Sequence, residues 1–418
     1  MSEALPIPPR PNLEQYKKLA KDLQRASRSS DPDSAVRDWA ARWAPASDWS
    51  FDWPKFRGTN EGAASCKLAD AQLFIARAHG FASWPKFVKH VQALTRENSP
   101  VSKFEEAVDA IVSGDFPGLQ KLLSESPDLA RARSTRDHRS TLLHYVSANG
   151  VEDFRQKTPK NIVDITKLLL RAGAEVNAES DAYGGRATTL GLTATSCHPH
   201  NAGVQIPLME LLIERGAIID GPDGYSGVNG CLQNGRGEAA EFFASRGARL
   251  DLEGAAGVGR LDVVKSFFGE DDRLKPPATE GQMRDGFAWA CEFGRITVVD
   301  FLLQRGMKVD ARLRHGETGL HWAAHAGHAA IVQVLLDRGA PIEVKDERFR
   351  GTPLDWALHG WGEPERAQRE PYYEIVALLV RAGAKLDPGW LQNVENRYPV
   401  AEKIRSEPRM LAALRGEF

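Results

Sequence analysis

Apolar residues recur along this chain in short helical pulses, and each pulse is closed by a glycine. The phrase is an apolar helix ending in Leu-Leu or its equivalent, then Gly, a small residue, and an apolar residue followed by Asn, Asp or Glu. It reads LLLRAGAEVN (168–177), LLIERGAIID (211–220), FFASRGARLD (242–251), LLQRGMKVD (302–310), LLDRGAPIE (335–343) and LLVRAGAKLD (378–387). The markers Gly173, Gly216, Gly247, Gly306, Gly339 and Gly383 are separated by 43, 31, 59, 33 and 44 residues, so the step of 59 holds two repeats. Glycine past the last apolar turn supplies the left-handed conformation that a Cβ resists, which ends the helix. A second glycine, in NGR (234–236), VGR (258–260), FGR (293–295) and AGH (326–328), lies about twelve residues upstream and divides a short inner helix from the outer one. The pattern predicts two helices per repeat and an all-α array.

Ahead of the repeats, Leu13, Tyr16, Leu19, Ala20 and Leu23 keep helical spacing behind Asn12, a good N-cap, and 33–43 reads as a second helix. The stretch 45–65, rich in Gly, Pro, Ser and Asn, reads as a loop. KLADAQLFIARAHGFASWPKFVKHVQAL (67–94) predicts a helix, a break at Gly80, and a second helix starting near Trp84-Pro85, where proline suits the first turn.

Residues 316–340, GETGLHWAAHAGHAAIVQVLLDRGA, resemble the ankyrin repeat, with Thr318, Leu320, His321, Ala323, Ala324, Gly327, His328, Ile331, Val332, Leu335, Leu336 and Gly339 at family positions. STLLHYVSANG (140–150), TTLGLTATS (188–196), YSGVNGCLQNGRGEAAEFFASRGA (225–248), LEGAAGVGRLDVVKSFF (252–268) and GTPLDWAL (351–358) are looser copies. The resemblance spans roughly residues 103–390 and implies an ankyrin-repeat solenoid of about seven to eight repeats, in which His144, His321 and His328 bond structurally between adjacent turns. LADAQLFIARAHGFASWPKF (68–87) is similar to an N-terminal helical module of bacterial ankyrin-repeat proteins, a resemblance that names no activity. The expected organisation is a helical module over 1–98, the solenoid over 99–390 and C-terminal capping helices over 391–418.

A chain of 418 residues exceeds what one compact core holds, which suits an array. The 54 basic and 56 acidic residues leave a net charge of -2, so bulk electrostatics gives no reason to expect nucleic acid or an anionic membrane surface. No apolar run of about 18 residues occurs, and MSEALPIPPRPN has neither a basic nor an apolar leader region, so a cytoplasmic protein is expected. Cys66, Cys197, Cys231 and Cys291 are widely spaced and read as reduced thiols.

Candidate chemistry falls in two inner-helix columns. One runs Tyr145, Leu192, Gly230, Gly254, Trp289, Trp322, Trp356; the other, three residues further on, runs Ala148, Thr195, Gln233, Gly257, Glu292, His325, His359. Glycines in the central repeats either leave room for a pocket walled by tryptophan or let helices pack closely. Tyr225, Asn229, Gln233, Asn234, Trp289, Trp322 and Trp356 are the candidate ligand-binding residues, joined by His198 and His200 in the insertion SCHPHNAGVQIP. Glu292, His325, Asp355 and His359 are the candidates for acid/base chemistry, though their spacing is not diagnostic. Cys197, His198 and His200 lack the paired spacing of a structural zinc site, so neither metal nor cofactor is expected. GAAGVGRLD lacks the strand and lysine of a phosphate loop, and GxSxG and HExxH do not occur. Insertions at 151–163 and 359–374, with the one at His198, are expected to project from one face and roof the groove. These readings converge on a scaffold that binds a protein partner through its concave face and inserted loops. The alternative is an ankyrin-scaffold enzyme or a receptor for a small apolar or aromatic ligand.

Overall fold

The computed structural model describes residues 4–43, 66–221, 226–363, 369–388, 390 and 400–418. The chain falls into two compact units, Met1–Ile219 and Asp220–Phe418.

The first unit opens with the helices Leu13–Ala26 and Pro32–Trp43, then Leu68–Ala78 and Trp84–Leu94. Asn12 caps the first, its side-chain oxygen accepting from the Glu14 amide at 3.0 Å. The predicted break stands at Gly80, with φ at 83°. Tyr16, Leu23, Val36, Trp39, Ile75, Phe81, Phe87 and Val91 share one core. The predicted loop over 45–65 lies outside the described residues.

Repeats follow as helix pairs. In the first unit they are Pro100–Ser113 with Phe116–Glu125, Leu142–Ser147 with Ile162–Arg171, and Thr189–Thr195 with Gln205–Glu214. The second unit contributes Gly227–Gln233 with Gly237–Ser245, Leu252–Gly257 with Leu261–Ser266, Glu280–Glu292 with Ile296–Gln304, Gly319–Ala326 with Ala329–Asp337, and Pro353–Gly362 with Glu370–Arg381. These are eight pairs among the described residues, and the long step between Gly247 and Gly306 does hold two. All six marker glycines have φ between 77° and 103°. Leu142–Ser147 is a 3-10 rather than an α-helix, ended by Ala148 at a φ of 47°. Short helices Ala401–Ser406 and Pro408–Ala413 close the second unit.

Two structural histidines staple consecutive repeats. Thr141 and Thr318 amides donate to Nδ1 of His144 and His321, both at 3.1 Å, which leaves the proton on Nε2. Each Nε2 then donates to the next repeat's backbone, at Ala187 O (3.1 Å) and Gly351 O (3.3 Å). Burial pushes both imidazoles down to about 4, so they stay neutral as this role requires. His328 bridges to the Glu292 carbonyl at 2.8 Å.

The insertion after the second inner helix does not project as expected. Glu152 and Arg155 are buried, because they complete an ion network with Arg136 and Glu105. Arg136 Nη1 donates to Glu105 Oε1 and Arg155 Nη1 to Glu105 Oε2, both at 2.6 Å. Arg136 Nε lies 2.8 Å from Glu152 Oε1, within charge contact though outside hydrogen-bond alignment. Desolvation alone would raise both carboxyls, but the two guanidiniums, joined at Glu152 by His138, outweigh it and hold them below the usual carboxylate range.

Candidate functional site

In the second unit, neighbouring inner helices carry Trp289, Trp322 and Trp356 at equivalent places, so stacking the repeats stacks the indoles. Ring centroids are 6.2 Å apart for Trp289 and Trp322, and 5.1 Å for Trp322 and Trp356, which meet edge to face at 82°. All three are half-buried. Two are held by carboxylates: Trp289 Nε1 donates to Glu253 Oε1 at 2.9 Å, and Trp356 Nε1 to Asp346 Oδ2 at 3.1 Å. Burial, and the nearby Asp251 and Asp285 charges, raise the Glu253 carboxyl above its ordinary value, while its bond from Trp289 opposes them. Asp346 is pulled the other way: burial would raise it, but bonds from the Phe349 amide, the Trp356 indole and the Gly351 and Arg348 amides win.

Of the two readings of the central glycines, close packing is what Gly254 and Gly257 provide. A Cβ at Gly254 would stand 2.6 Å from Asn229 Oδ1, and one at Gly257 2.5 Å from Leu232 and 3.1 Å from Trp289 Cβ. Their missing side chains let inner helices approach. Gly360 does the same three repeats on, where a Cβ would overlap the His325 carbonyl oxygen.

The sequence candidates separate under the geometry. Asn229 ties its helix to the next, donating to Asp251 Oδ2 at 3.0 Å, and Asn234 donates to the Gly230 carbonyl at 2.9 Å. Gln233 is exposed and hydrogen bonds to Glu253. Tyr225 lies outside the described residues. Asp355 is occupied as a cap: Oδ2 accepts from the Thr352 amide at 2.8 Å, and Oδ1 from Trp390 Nε1 at 2.6 Å. Glu292 is half-buried at the end of its helix.

His325 and His359 do come together, with ring centroids 5.8 Å apart. Glu363, which the sequence reading passed over, joins them: its Oε1 is 3.2 Å from His325 Nε2 and 3.8 Å from His359 Nδ1. Among the described residues this is the one group of three or more His, Cys, Asp or Glu side chains whose ligand atoms lie within 4.8 Å of one another. Cys197, His198 and His200 form no such group. They sit in the first unit on the short helix Cys197–Asn201, Cys197 exposed, both histidines half-buried and Pro199 buried between them. The other thiols, Cys66, Cys231 and Cys291, are free and buried, and burial pushes Cys231 up to about 12.

Successive helix pairs, joined by threonine–histidine staples and ended by glycines at the outer helices, are those of an all-α ankyrin-repeat solenoid. Comparison with protein families agrees: residues 252–346 and 287–389 match the family described as ankyrin repeats (3 copies). The repeats N-terminal to residue 252 lie outside those matches. Among solved structures the chain is similar to the human ASB11 ankyrin repeat domain, at 20% identity over 67% of this chain and 99% of that one, with a TM-score of 0.33. No curated protein matches. Among the described residues no helix is long and apolar enough to cross a membrane.

Proposed function

We propose that this protein is a binding scaffold whose second unit receives a segment of a partner protein across Trp289, Trp322 and Trp356. The observation that carries the reading is the half-exposure of three stacked indoles on rigid helices, since tryptophan dominates the energetics of protein interfaces. The carboxylates beside them set the partner's chemistry. Glu253 already bears the repulsion of Asp251 and Asp285, so a cation arriving there is favoured and a further anion is not. The expected segment therefore presents Lys or Arg next to an aromatic or aliphatic side chain, the cation lying against indole or carboxylate. The inner-helix face supplies the concave surface and the inserted loops its margins.

Panning a random peptide library on the purified full chain tests this. Selected peptides should carry that basic-apolar pairing and lose affinity by about 30-fold against Trp289→Ala and Trp356→Ala, the size of a hot-spot truncation of about 2 kcal/mol. Peptides that bind both variants as tightly as the parent, or a library that yields no enrichment, would remove the tryptophan ladder from the function.

A further inference from the structure

Stacking places His325 and His359 in the last turns of successive inner helices, 34 residues apart in sequence. Glu363 follows His359 by four residues and caps the same helix with an extended backbone (φ -65°, ψ 125°), which turns its carboxylate toward both rings. We infer that His325, His359 and Glu363 bind one divalent transition-metal ion of the zinc type, a site that does not depend on the peptide-binding reading above.

The donor set is two imidazoles and one carboxylate, which suits zinc, cobalt or nickel rather than magnesium or calcium, whose shells are built from oxygen. A tetrahedral zinc ion with bonds of about 2.1 Å holds its ligand atoms about 3.4 Å apart. Two of the three separations here are 3.2 and 3.8 Å, and all are within 4.8 Å. Only a small rotation closes the set, and His359, two-thirds exposed, has room to make it.

The surroundings fix the least exposed ligand. Trp356 and Trp322 meet the His325 ring edge-on, at 5.6 and 6.4 Å between centroids, and Tyr372 Oη donates to the His325 carbonyl at 2.8 Å. Three protein ligands leave a fourth position of a tetrahedral shell to be filled by another ligand, the arrangement of a site that can exchange it. Such a cation would also offset the carboxylate charge along this face.

Titration of the metal-stripped full chain with cobalt(II), read by its visible ligand-field absorption and followed by displacement with zinc(II), tests the assignment. One cobalt per chain should bind and be displaced by one zinc. Affinity should fall on the order of 100-fold in His359→Ala and again in Glu363→Gln, with helical circular dichroism unchanged, while Cys197→Ser binds as the parent does. Absence of the cobalt spectrum in the parent would overturn the site. So would unchanged affinity in both ligand variants, or loss of binding in Cys197→Ser.

Discussion

Tyr145 and Trp322 hold the same place in the repeat and meet opposite fates. Tyr145 is fully buried beside Phe104 and His138, its hydroxyl 3.4 Å from Glu152 on the inserted segment. Trp322 stays half-exposed between two other indoles. In the first unit the chain has covered its one aromatic residue of this column with charge, and in the second the described residues leave the indoles part-exposed. One architecture thus yields a sealed core where an insertion brings Arg155 and Glu152 down onto it, and a more accessible aromatic face where the described residues bring none.

Acid should separate the two units most. His79, His90 and His144 in the first unit are each pushed by burial down to about 4, as is His321 in the second. A histidine whose folded pKa is depressed stabilises the fold above its unfolded pKa of about 6.5, and that contribution is lost as pH falls from there to about 4. Each such histidine contributes at most about 1.4 kcal/mol per pH unit across that window, and the three of the first unit should make it the more acid-sensitive. The carboxyls of Glu105 and Glu152, held low, add to the loss below about pH 4.5. Hydrogen exchange read by mass spectrometry as a function of pH should show the first unit opening first; simultaneous opening would break the comparison.

Arg136→Ala should cost about 3–5 kcal/mol, confined to the first unit, because it takes one of two guanidiniums from a pair of buried carboxylates and leaves them to share Arg155. Denaturant titration monitored by segment-resolved exchange checks the confinement. Gly360→Ala in the second unit should cost about 1–3 kcal/mol, since its methyl group meets a backbone carbonyl that cannot swing aside. The smallest effect is expected at His359→Ala, within about 0.5 kcal/mol in thermal unfolding of metal-free protein, as its side chain is mostly exposed.

The repeats were legible because their punctuation is local: a glycine with positive φ and a threonine three residues ahead of a histidine are readable wherever they occur. The tryptophan column was legible for the same reason, since the repeat period carries each indole to the same face. What stayed hidden was pairwise and distant. Glu105, Arg136, Glu152 and Arg155 look like ordinary surface charges, and only the folding-down of the 151–163 insertion buries them together. Glu363 was overlooked because a carboxylate gains meaning only from the His325 of the preceding repeat. Gly254 and Gly257 carried two opposite readings, and the neighbours Asn229, Leu232 and Trp289 decided between them.

Gly360 sets a length. With hydrogen in place of a methyl group, one inner helix rests directly on the His325 carbonyl of the last, so the gap between the two imidazoles is gauged by backbone against backbone. A distance defined this way does not drift as side chains exchange rotamers. The chain therefore has a fixed ruler where a ligand must be measured, and changing what the site accepts would mean recutting that ruler before altering any of the groups that touch it.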